Sequence, residues 1–112
     1  MNARRPISKN MLVRWHILHV FQFLEKIYKG LLRDSMVKTE LGLVLSNLET
    51  CHTILQNGPA KATNEHDSVE CVKCIAEAKE QIIILHEISP FISVGAVQNV
   101  LTLLDDAECY LK

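Results

Sequence analysis

Between Met11 and Leu32 the chain reads MLVRWHILHVFQFLEKIYKGLL, the longest and most apolar run in the sequence. Val13, Ile17, Val20, Leu24, Ile27 and Leu31 recur there at alternating steps of four and three. Those steps hold them on one side of an α-helix, and Phe21 and Tyr28 widen the same stripe. In the second half of the run Gln22, Glu25, Lys26, Lys29 and Arg33 supply a polar back. The first half has no such back. Met11, Trp15 and Leu18 form a short second stripe there, pointing away from the main one. A helix with one apolar face suits the edge of a bundle, whereas one with two is central or touches a partner.

The rest of the chain repeats the helical period. Residues 1–10 are polar and basic and read as a flexible arm, with Ser8 or Asn10 able to cap a first helix over 11–33. Val37, Leu41, Val44, Leu48, Cys51 and Leu55 predict a second helix over 35–57, stopped by Asn57-Gly58-Pro59. The opposite side of that helix carries only short residues: Thr39, Gly42, Ser46, Thr50 and Thr53. Gly42 in mid-helix costs about 1 kcal/mol relative to Ala, which close packing of another helix would recover. A plain solvated face of short polar residues is the simpler reading. A loop through residue 67 follows, and Asp67 with Glu70 resembles a capping box for a third helix over 68–88. Its inner face is Cys71, Cys74, Ile75, Ala78, Ile82 and Leu85, and Ser89-Pro90 ends it. Phe91 and Ile92 are expected to plug the core end, and Ser93 to cap a fourth helix over 93–111 with Val97, Val100, Leu101, Leu104, Ala107 and Leu111 inward. Four similar helices and mostly short connections predict one all-α domain over 1–112, an antiparallel four-helix bundle.

Composition removes several function classes. With 12 basic and 13 acidic residues the formal net charge is −1, so no global field favours nucleic acid or anionic lipid. Four basic residues in the arm, Arg4, Arg5, Lys9 and Arg14, attract a membrane only weakly without a second lipid signal. Arg14, His16 and His19 interrupt any secretory apolar run. A mitochondrial presequence fits the acid-free residues 1–24 better, but its removal would take part of the core with it. Four cysteines without a secretory leader point to a reducing, intracellular compartment, cytoplasmic or nuclear, rather than a disulfide framework.

Chemistry-bearing residues are few. Cys51, His52, His66, Cys71 and Cys74 include a Cys-x-x-Cys pair with metal-ligand spacing. That pair lies inside a continuous helix on its apolar side, where free Cys packs as a small hydrophobe. Buried, reduced thiols are therefore expected, with no metal and no cofactor. Cys109, on the outer side of the fourth helix, is expected to differ. Arg14 and His19 resemble the Arg-x4-His arrangement of some helical ribonucleases, though they sit among apolar neighbours near the start. Asp105, Asp106 and Glu108 read as a solvated acidic end sharing no site, because successive helical residues diverge by about 100°. No catalytic residue is assigned. The reading is a non-enzymatic interaction module, an adaptor or complex subunit, whose contacts to a second copy or another helical protein are Met11, Trp15 and Leu18. The alternatives are a small nuclease-like enzyme using Arg14 and His19, and a peripheral membrane module using the basic arm and Trp15. Against the partner stands an internal cover, the arm or the 58–67 loop folded back over the ridge.

Overall fold

A computed structural model of the chain describes residues 9–31, 33–57, 65–90 and 92–112. They form an antiparallel bundle of four helices: α1 (Lys9–Tyr28), α2 (Ser35–Asn57), α3 (Glu65–Ile88) and α4 (Val94–Leu111). The contacts of α2 with α3 and of α1 with α4 are the most extensive, and those of α3 with α4 and of α1 with α2 are fewer.

The seam positions pack as their spacing requires. Val13, Ile17, Val20 and Leu24 of α1 are buried, as are all six seam residues of α2 and all six of α3. On α4, Val97, Val100, Leu104 and Ala107 are buried while Leu101 and Leu111 pack half-covered at the edge. Ile92 packs partly against the core; Phe91, the other half of the expected plug, lies outside the described residues.

Three helix ends differ from the sequence reading. The first helix already includes Lys9 and Asn10, so Asn10 is a helical residue and not its cap; Ser8 lies outside the described residues. Lys is a good helix former, and nothing at positions 9 and 10 opposes the turn. At its far end α1 stops at Tyr28 and tightens into a 3₁₀ turn, Lys29–Leu31, around Gly30. In 3₁₀ geometry residues three apart eclipse one another. The phase of the stripe changes there and leaves Leu31 half-covered, while within α1 Tyr28 is fully buried and Ile27 half-covered. The third correction is α3, which begins at Glu65 and not 68. Asp67 thus sits within its first turn, where a carboxylate favours the positive helix end.

Local hydrogen bonds fix the connections. Asp34 caps α2: its Oδ1 accepts from the backbone N–H of Met36 at 2.9 Å and of Val37 at 3.4 Å. Ser93 caps α4 as expected, its hydroxyl accepting from the N–H of Ala96 at 3.3 Å. Between α3 and α4, Ser89 is buried and donates its hydroxyl to the carbonyl of Leu85. The Ile92 N–H donates to Ser89 at 3.1 Å, closing the turn.

Leu48 is fully buried at the middle of the α2 seam. Truncation there removes a branched side chain where facing helices have little room to collapse. Leu48→Ala should lower unfolding free energy by about 2–5 kcal/mol. Urea denaturation measures it, and a loss below about 1 kcal/mol would show that the cavity closes on itself.

Candidate functional site

The ridge on α1 is open in the structure. Met11 is 58% exposed, Trp15 54% and Leu18 45%, although each is large and apolar. The segments that could cover them internally, residues 1–8 and 58–64, lie outside the described residues.

Trp15 is nonetheless held in place. Its ring meets that of His19 with centroids 3.9 Å apart and planes at 62°, and that of His16 at 5.1 Å and 74°. His16, expected to flank the core half-buried, is buried outright. It faces α4, where its ring lies 5.5 Å from that of Tyr110, and its Nδ1 is 2.7 Å from the Leu12 carbonyl. Four rings, His19, Trp15, His16 and Tyr110, thus run from the exposed ridge to the end of α4. Tyr110 gave no sequence signal, because a contact between distant helices depends on their rotation and not on spacing within either.

Arg14 and His19 do not converge. Five residues apart on a helix, they differ by about 140° in direction. Arg14 turns toward α2, close enough for its charge to act on His52, whereas His19 turns to Trp15. Among the described residues the buried Nε of Arg14 and Nε2 of His52 have no hydrogen-bond partner. Burial first, then the Arg14 charge, pulls the His52 imidazole below its ordinary value, against a smaller opposing pull from Glu49.

The thiols divide as the sequence suggested. Cys51, Cys71 and Cys74 are free and buried, and Cys109 is free and exposed. A hydrogen bond with Cys71, then burial, pushes the Cys51 thiol up, while the same bond holds Cys71 down. Burial, then the Glu70 carboxylate, pushes Cys74 up. Among the described residues no group of three or more His, Cys, Asp or Glu is placed to hold a metal ion. The acidic end of α4 is less solitary than expected. Asp105 and Glu108, three apart and so on one side, share Lys79 of α3 at 2.8 Å and 3.3 Å.

A second feature lies beside the ridge. Where α1 and α2 make sparse contact, a groove of about 720 Å³ opens between them, walled by Phe21, Tyr28, Leu41 and Leu45. Gly42 lies in it, and a Cβ built there would meet nothing within 4 Å. Comparison with protein-family models, with curated proteins and with solved structures finds no match.

Two measurements check this geometry. Maleimide added to the native protein should modify Cys109 before any other thiol, as read by peptide mass spectrometry. Reaction of an inner cysteine first would mean that α4 is rotated. The second concerns pH. His52 binds its proton less readily folded than unfolded, so its contribution is complete above the unfolded value near 6.5 and is lost as pH falls below it. His52→Gln should therefore flatten the decline in urea midpoint between pH 7 and pH 5. An unchanged slope would remove His52 from the interior.

Proposed function

We propose that the chain is a non-enzymatic interaction module, an adaptor or a subunit of a larger intracellular assembly, and that Met11, Trp15 and Leu18 are its contacts. The observation that carries this reading is Trp15, more than half exposed on the side of α1 facing away from the core. Truncating a hot-spot Trp commonly costs about 2 kcal/mol or more in binding. Here the ring is already oriented by two imidazoles, which reduces the ordering that a partner must impose. The partner is a second copy or another helical protein. Three buried, free thiols accord with a reducing compartment. Among the described residues no helix is long and apolar enough to cross a membrane. The divergence of Arg14 and His19 leaves the nuclease alternative without a shared site in this chain.

The test is the double variant Trp15→Ala with Leu18→Ser, followed by circular dichroism and by sedimentation alone and with a candidate partner. Helicity and melting should stay nearly unchanged while association weakens at least tenfold, about 1.4 kcal/mol. Early melting would instead assign Trp15 to the chain's own core.

A further inference from the structure

The groove between α1 and α2 poses a question that the ridge does not answer. Gly42 sits within a 23-residue helix, its φ is not positive, and no neighbour crowds the place of a Cβ. Among the described residues neither backbone conformation nor packing calls for glycine, yet glycine weakens a helix interior. An absent side chain is useful where another backbone approaches closely. Around Gly42 the walls are apolar, and the rims carry charge in a definite order. Lys29 and Lys38 flank the end nearest the α1–α2 connection, Glu25 follows, and Glu49 lies beside Phe21 at the far end. From Lys38 to Glu49 is about three helical turns.

Resting on the interaction-module reading, we propose that this groove receives one amphipathic helix of a different protein, lying over Gly42. Its acidic residues face Lys29 and Lys38, and its basic residues face Glu49. An acyl amphiphile has one charged end and would leave the other rim unanswered. A second copy fits less well, because the face of α1 that carries the ridge offers a single acid, Glu25, with Lys26 and Lys29 beside it.

The experiment selects from a displayed library of helices about four turns long, with an Ala/Leu stripe and randomised flanks, against the full chain. Enriched peptides should carry acids at one end of the stripe and basic residues at the other, about three turns apart. The consensus peptide is then measured against wild type and three variants. Gly42→Leu, which fills the groove, should weaken binding at least tenfold while melting stays level or rises. Lys38→Glu should also weaken it, and a peptide with lysines in place of its acids should recover the loss. Met11→Ser with Trp15→Ala should leave peptide binding unchanged, separating this site from the ridge. Failure to enrich any such peptide, or undiminished binding to Gly42→Leu, overturns the proposal. So does loss confined to the ridge variant, which would place the peptide there. Self-association abolished by Gly42→Leu would make the guest a second copy, and a dodecyl probe seated in the groove while no peptide is enriched would make it a lipid site.

Discussion

The Tyr28 side chain is where three parts of the fold converge, and the groove between α1 and α2 begins at it. It is the last residue of α1, it lines the groove with Lys38 and Leu41 of α2, and its phenol faces Ser89 at the α3–α4 connection. Burial raises the phenol's pKa and the Ser89 hydroxyl lowers it, the first effect being the larger. The ring is buried and lines one end of the groove. Toward Phe21, Leu45 is half-covered and Gly42 has no side chain to contribute. The groove is thus the unfilled continuation of a seam that Tyr28 closes at one end.

The contrast with the other seams is energetic. Between α2 and α3, Leu48, Cys51, Leu55, Cys71, Ile75, Ile82 and Leu85 are all buried, and Asn47 donates to Gln81 at 2.9 Å across the flank. Each fully buried aliphatic side chain contributes roughly 1.5–3 kcal/mol through removal from water. The α1–α4 seam is similarly filled by Val13, Ile17, Val20, Val100 and Leu104, with His16 and Tyr110 meeting at its edge. Two well-filled seams hold the helices as pairs. The sparse α1–α2 seam can then remain open without endangering the whole.

The inward face of every helix was legible in the sequence because burial recurs every three or four residues. Leu48 and Ile75 are buried for the same reason that their spacing singles them out. Ser93 was legible as a cap from its place before an apolar run, whereas Asp34 was passed over although it does the same for α2. Helix starts at Lys9 and Glu65 were missed because polar residues tolerate both helix and loop, so spacing decides nothing there. Contacts between helices were the least legible. Lys79 with Asp105 and Glu108, Arg14 with His52, and His16 with Tyr110 depend on the relative rotation of two helices. Of the candidate site, the ridge could be read from one helix alone. The groove needed the placement of two.

Ridge and groove are neighbours on α1. Leu18 and Glu25 are seven residues apart, so they point within about 20° of one another and are separated by two turns. The ridge occupies the outer side of the first half of α1, and the groove rim continues from it along the second half. A guest only three turns long would meet the groove alone. One extended past Glu49 would run beside Leu18, whereas Trp15, ten residues before Glu25, points about 80° away from that line. The two surfaces would then act on a single partner, and their contributions would add because the second contact is made at no further loss of translational freedom.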